Sequence, residues 1–398
     1  MAAMLRRLAL ALVVFALAGA STASAKVGDL YALRYGAQLN LLVRYDPVRL
    51  VPSGRAIDVG HFAQAWSLSP DRRRFVAAAG WRKTHGEPTS LRFVDLKSGR
   101  IEGTLRLQGE RRRVVATAWV RGRVLAVVSG GEGTIVYTVD PDTRSVVGKA
   151  EAPGNVVVGV RSHNGLALLL ATPDRIGPAT LAFADQRPRL RTVVLERITA
   201  GFVVSGTGAD RRSTVQRPAL TLAPSGTRAY IFGADEPTAA VDLRTMAVEY
   251  APLRLLAAIR KNGSGSVRTA ETLPDGRIVV SGYNLQRKGT TFLRVVEPKD
   301  WSSRLLDRSS PWFRLGGGMI FTHRAGKPGL RMWKPAGTFV DLFTTGSVGN
   351  VFVYGPRAFV TFFGTNSKAA VIELGTGRVV RHTVPAHPLI GAGQPITG

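Results

Sequence analysis

The fold is decided by the run Ala65-Trp66-Ser67-Leu68-Ser69-Pro70-Asp71, then Arg74-Phe75-Val76-Ala77-Ala78-Ala79-Gly80, then Leu91-Arg92-Phe93-Val94-Asp95-Leu96-Lys97-Ser98-Gly99-Arg100. Three short apolar runs are followed by a fourth, more polar one, Ile101 to Leu107. Each is bounded by a turn signal: Pro-Asp, a Gly-bounded loop, then Asp-x-x-x-Gly. The stretch predicts one four-stranded antiparallel meander, and nothing in it has a helical period.

The rest of the chain repeats this unit. Its third-strand corner, an acidic residue before a Pro, Gly or Thr turn, recurs as Asp46-Pro47, Asp95 to Gly99, Asp140 to Thr143, Asp185 to Pro188 and Asp242 to Thr245. Looser copies are Glu297 to Asp300, Lys334 to Gly337 and Glu373 to Gly377, at intervals of 37 to 57 residues. An Asp at such a corner can accept hydrogen bonds from the backbone ahead of it, so these acids are expected to be structural. A second signal marks the hairpin between the first two strands: Ser69-Pro70-Asp71, Arg121-Gly122, His163-Asn164-Gly165, Pro224-Ser225-Gly226, Pro274-Asp275-Gly276, Gly316-Gly317-Gly318 and Gly355-Pro356. A period of roughly 40 to 50 residues built from strands alone is the signature of propeller blades. Seven units carry all four strands, and Leu30 to Gly60 supplies the last three strands of another. The segment His387 to Gly391 can provide the missing strand, closing the ring and removing the open sheet edge. The expected fold is all-β, a single propeller of eight four-stranded blades. Seven blades would result if the N-terminal segment were only a closing strand with an extension.

The repeat resembles the bacterial WD40-like and YVTN-type propeller repeats. Residues 66–107 and 220–253 carry it best, with Pro224-Ser225-Gly226, then Ala229-Tyr230-Ile231, then Ala240-Val241-Asp242 and Thr245. It extends over about residues 28–390 without a Tyr-Val-Thr-Asn core or a Trp-Asp ending. The resemblance is one of architecture and implies no activity.

The first 25 residues read as an export signal: Arg6-Arg7, an apolar run from Leu8 to Ala20, then Ala23-Ser24-Ala25 before a cleavage point. The apolar run is short of the ~20 residues that a spanning helix needs. Residues 26–398 then form the propeller, and the expected location is secreted, periplasmic or cell-wall associated, by either the general or the twin-arginine route. The chain has no cysteine, which excludes disulfides and thiolate metal sites. Net charge is +27, from 54 Lys+Arg against 27 Asp+Glu. Such an excess attracts anionic partners, although the bases are spread along the chain and a solvated surface accounts for them as well.

No catalytic set stands out. The six histidines lack ligand spacing, there is no Gly-x-Ser-x-Gly elbow, and the Gly-rich runs lack the Lys-Ser/Thr of a phosphate loop. The pair Asp235-Glu236 reads as a solvated turn. The eight-bladed quinoprotein dehydrogenases share the expected architecture, but their cysteine pair and recurrent Trp motif are missing. No catalytic residue, metal or cofactor is therefore expected. The candidate ligand-binding residues are loop bases with a neighbouring aromatic, on the face carrying the long connections: Arg82, Lys83, Arg111, Arg112, Arg113, Arg211, Arg212, Arg287, Lys288 and Trp312. Lys261, Arg268, Arg324 and Lys327 are expected beside them. The long connections themselves, Thr199 to Pro218 and Ala257 to Val267, read as loops on that face.

These features predict an exported, monomeric binding scaffold that recognises a protein or an anionic ligand or polymer, with no specific nucleic-acid readout and no membrane span after cleavage. The alternative is an exported hydrolase or lactonase whose acids converge in the central channel from separate blades.

Overall fold

The computed structural model describes residues 30–35, 40–46, 53–60, 65–79, 90–108, 113–131, 133–205, 207, 212–233, 237–253, 255, 266–284, 291–308, 310, 312–323, 327–363, 368–385, 389–390 and 396–397. The export signal lies outside them. Every regular element among them is a strand.

The strands group into consecutive four-stranded antiparallel sheets. The first sheet contains β1 (Leu30–Tyr35), β2 (Asn40–Tyr45) and β3 (Ile57–Gly60). The second is β4 (Trp66–Leu68), β5 (Arg74–Ala79), β6 (Ser90–Asp95) and β7 (Arg100–Arg106). The third is β8 (Arg113–Val120), β9 (Arg123–Gly130), β10 (Gly133–Asp140) and β11 (Ser145–Pro153). The fourth is β12 (Asn155–Ser162), β13 (Gly165–Ala171), β14 (Ile176–Ala184) and β15 (Leu190–Ser205). After β16 (Arg212–Arg217) comes the fifth, β17 (Ala219–Leu222), β18 (Arg228–Phe232), β19 (Thr238–Asp242) and β20 (Val248–Ala251). The sixth is β21 (Ser266–Thr272), β22 (Ile278–Asn284), β23 (Thr291–Val296) and β24 (Ser303–Asp307). The seventh is β25 (Phe313–Gly316), β26 (Met319–His323), β27 (Leu330–Trp333) and β28 (Phe339–Phe343), and the eighth is β29 (Ser347–Tyr354), β30 (Arg357–Phe363), β31 (Lys368–Glu373) and β32 (Arg378–Pro385).

The first sheet gains its fourth strand from the far end of the chain. β33 (Leu389–Ile390) pairs antiparallel with β1, setting Tyr31 opposite Ile390 and Ala32 opposite Leu389. The ring of eight blades is thus closed by strands from both ends of the sequence, as the repeat count predicts.

Packing between blades follows from the patterning. Strands buried on both faces, such as Val124 to Val128 and Leu166 to Leu170, are continuously apolar because each face meets a different neighbouring sheet. Each core cluster draws on two successive blades. Phe93 and Leu91 of the second meet Val124, Val128 and Tyr137 of the third. Phe183 and Leu181 of the fourth meet Ile231 and Val241 of the fifth. Phe321 and Met332 of the seventh meet Val360 and Ile372 of the eighth. The outermost strands are polar or half-exposed, as in β7 and β11.

The corner acids have the structural role expected of them. Asp95 Oδ1 accepts from the backbone N–H groups of Lys97 (2.6 Å) and Ser98 (2.9 Å). Asp140 and Asp242 do the same with the residues two and three ahead. Those bonds hold all three carboxyls below the usual carboxylate range, Asp140 at about 2.

One expected loop is ordered structure. Within Thr199 to Pro218, β15 runs on past its pairing with β14, and Gly201 to Ser205 pairs with Arg212 to Gln216. Phe202 opposite Val215 and Val203 opposite Thr214 are aromatic and β-branched pairs that favour strands. Gly201, at φ 141°, makes the bend possible, because a Cβ there would lie 2.0 Å from the Arg175 carbonyl oxygen. β16 then pairs in parallel with β21, Gln216 opposite Ser266, which joins the fourth and sixth blades into one ten-stranded sheet. A last strand, β34 (Ile396–Thr397), lies on the free inner edge of β12 beside Val158 and Gly159, and so within the channel.

Candidate functional site

In a meander the turn between strands one and two and the turn between strands three and four fall at the same end. Both recurrent turn signals therefore share one face of the disc, here the turn face, and the long connections occupy the other. Most of the expected long-loop site, Arg82, Lys83, Arg111, Arg112, Arg211, Arg287 and Lys288, lies outside the described residues, as do Arg324 and the Asp235-Glu236 pair. Arg113 begins β8 and is exposed. Arg212 begins β16. Trp312 is half-buried and stacks on His323, with centroids 4.4 Å apart. Burial holds the His323 imidazole below its usual pKa, so this ring is a neutral packing partner. Arg268, expected at the surface, is instead buried at 5% exposure, donating to the Leu255 carbonyl and lying over the Phe292 ring. Its long apolar stem fills space between blades that the sequence pattern assigned to solvent.

A cavity of about 350 Å3 opens on the opposite, turn face. It is built where the innermost strands of three successive blades end: β12 with Arg161 and His163, β17 with Thr221, and β21 with Glu271 and Thr272. Apolar residues Val160, Leu222 and Leu273 complete its wall.

Two charged groups dominate it. The Arg161 guanidinium lies 5.8 Å from the centroid of the Trp66 ring, so this side chain of the fourth blade reaches a side chain of the second. Burial lowers its pKa to about 10, which leaves it charged at neutral pH. Among the described residues no carboxylate or hydrogen-bond acceptor pairs with it. Glu271 is half-buried: its enclosed Oε1 accepts no hydrogen bond, and Arg314 Nη1 on β25 stands 3.9 Å away. Burial raises the Glu271 carboxyl to about 7, against the opposing pull of Arg314 and of a backbone hydrogen bond from Leu315. Between the two charged positions the hydroxyls of Thr221 and Thr272 bond each other at 2.9 Å.

The contrast with the other acids is informative. Asp140 pairs with Arg123, Glu249 with Arg228, and Asp341 binds Arg331 through two hydrogen bonds of 2.7 and 3.2 Å. These pairs lie on outer strands or turns. Among the described residues no group of three His, Asp or Glu side chains is placed to hold a metal ion.

Neither Arg161 nor Glu271 is singled out by motif reasoning. The available signal is positional: each is a charge in the innermost strand of a blade, two or three residues before the turn marker.

No known sequence family matches the chain, and no curated protein matches it. Solved structures do resemble it. It is similar to dihydro-heme d1 dehydrogenase NirN in complex with DHE, with 12% identity and a TM-score of 0.58 over 91% of this chain and 74% of that one. It is similar to AztD from Citrobacter koseri, with 11% identity and a TM-score of 0.54 over 93% and 98% of the two chains. A protein from Lactobacillus plantarum gives 11% identity and a TM-score of 0.51 over 91% and 97%. The fold is a β-propeller. At these identities the likeness extends to architecture and no further.

Proposed function

We propose that the protein is an exported, non-catalytic binding propeller that holds a small anionic ligand in the cavity on its turn face. The observation that carries this reading is Arg161, a charged guanidinium in a partly apolar cavity with no anionic partner among the described residues. Arg161 is half-buried and only partly solvated, and an incoming carboxylate, sulfate or phosphate would supply charge-assisted bonds to it. The paired hydroxyls of Thr221 and Thr272 offer neutral donors beside it. This places recognition on the face opposite the one the loop arginines suggest.

Trp66 lies against Arg161 and serves as the reporter. Titration with benzoate or sulfate should give a saturable change in tryptophan fluorescence, with Kd of order 1 mM or tighter. Arg161→Met, which keeps the apolar stem and removes the charge, should weaken binding about tenfold or more, as loss of a charged hydrogen bond implies. Equal affinity in the variant, or no binding of either anion, would overturn the reading.

The hydrolase alternative has one observation in its favour, a channel carboxyl in Glu271 that titrates near neutrality. Turnover of a lactone or ester that Glu271→Gln abolishes would establish it instead.

A further inference from the structure

The ring needs only β33 to close, yet the chain places one more strand inside it. β34 pairs with the inner edge of β12, Ile396 opposite Gly159 and Thr397 opposite Val158. It also lies against β8, so it occupies the sector of the channel in front of the third and fourth blades. The innermost strands run from the long-connection face to the turn face, and β34, antiparallel to β12, runs the other way. Its first residue, Ile396, is therefore the one nearer the cavity.

Arg161 uses the same sector. Gly159 and Arg161 stand opposite Leu168 and Leu166, on the face of β12 that packs against Ala116 and Ala118 of β8. From there the guanidinium passes the third blade to reach Trp66 of the second. Opposite residues of an antiparallel pair lie roughly 5 Å apart and two residues of strand span about 6.7 Å, which puts the backbones of Ile396 and Arg161 about 8 Å from each other. An anion held by that guanidinium and β34 therefore draw on one space.

We propose that β34 is an autoinhibitory strand of the anion site: while paired with β12 it covers the channel side of Arg161, and the anion binds fully only when the strand has come away. The inference rests on the anion-binding reading of the cavity and adds the regulation of that site. The pairing suits such a role because it is short, two residue pairs against four between β17 and β18 and eight between β10 and β11. Segments held by so few backbone bonds open locally without unfolding the rest. β33 is equally short but completes a blade, whereas β34 completes none. By linkage, an anion that prefers the opened channel must loosen the strand as much as the strand weakens the anion.

The native chain is followed by amide hydrogen exchange with and without saturating sulfate. Sulfate should speed exchange of the segment 391–398 about threefold or more. Two variants then remove the pairing: Ile396→Pro with Thr397→Pro, which deletes both backbone donors of β34, and a chain stopping after Gly391, which keeps β33. Each should bind sulfate and benzoate at least threefold tighter than the native chain by Trp66 fluorescence, because the binding-competent fraction is no longer limited by the strand, and Arg161→Met should abolish the gain. Where a variant fails to fold, the exchange of the native chain decides alone. Affinity equal to or weaker than the native chain's in both folded variants, or exchange that sulfate leaves unchanged or slows, would overturn the autoinhibition and leave the Arg161 site standing. Absence of Arg161-dependent binding in every chain would remove the site and its regulation together.

Discussion

The Glu271 carboxyl bears on folding independently of any ligand. Glu271 titrates at about 7 in the folded chain against 4.5 for an ordinary glutamate. A raised carboxyl pKa stabilises the fold at low pH, where the acid is neutral in both states, and this advantage is lost as pH rises through the folded value. The difference of 2.5 units corresponds to about 3 kcal/mol of ionisation penalty once the pH is well above 7. Glu271→Gln carries no such penalty, and its amide has the shape of the neutral acid. The variant should therefore match the native chain below about pH 4 and gain on it progressively as pH rises from about 4.5 to about 7, by up to about 3 kcal/mol at pH 8.5. For a domain of this length, unfolding entropy of about 0.8 kcal/mol/K makes that a rise of roughly 4 °C in Tm. Thermal melts of both proteins across this range decide the matter. Curves that run parallel, or a variant less stable at pH 8.5 because Arg314 has lost its partner, would refute the account of Glu271 as an acid destabilised by burial.

Two further predictions concern the frame. Asp140→Asn keeps an oxygen for the turn but removes the charge that Thr143, Asp142 and Arg123 stabilise, so it should destabilise the chain at neutral pH. A lowered carboxyl pKa contributes stability that is lost as pH falls from about 4 to about 2, and the deficit should vanish over that interval; a constant deficit in urea unfolding would count against the assignment. Phe93→Ala empties a fully buried site between the second and third blades and should cost about 3–5 kcal/mol in urea unfolding, whereas a cost below about 1 kcal/mol would mean that those blades do not pack as described.

The frame is legible in the sequence because propeller blades are specified locally. Each reversal needs a turn residue at a fixed place, and an Asp such as Asp95 or Asp242 satisfies its own corner within three residues. The closing strand at Leu389 is legible for a topological reason, since three strands near the N-terminus leave an edge that only another segment can cover. The strands within Thr199 to Pro218 are misread as a loop because the glycines and charged residues there resemble loop composition, and they mask the β-branched residues that pair Gly201 to Ser205 with Arg212 to Gln216. The site is illegible for a similar reason. Arg161 and Glu271 are 110 residues apart in sequence and line one cavity only because three blades bring their inner strands around one channel. Their register places them beside the turns, and no spacing rule between them exists to be found. Arg268, three residues before Glu271 on the same strand, shows the limit of charge alone, for it is the buried neighbour of Phe292 and no part of a basic face.

The excess of bases acquires a more specific meaning from this arrangement. Most acids of the described residues are engaged in turns or paired with arginines on outer strands, where water screens whatever charge is left over and the contribution of each pair is small. In the channel, screening is weaker. Arg314 faces Glu271 there, and Arg161 faces nothing of opposite sign among the described residues. Protonation of Glu271 makes the cavity more positive still, and ionisation of Glu271 works against an anion at the moment it would bind. A fold that needed only a neutral plug at this point could have used another apolar residue, as it does at Ala270 in β21 and at Leu273 just beyond it. A carboxyl that burial makes costly to ionise adds little negative charge to the cavity near neutral pH, and the Arg161 guanidinium is then the charge that an anion would answer.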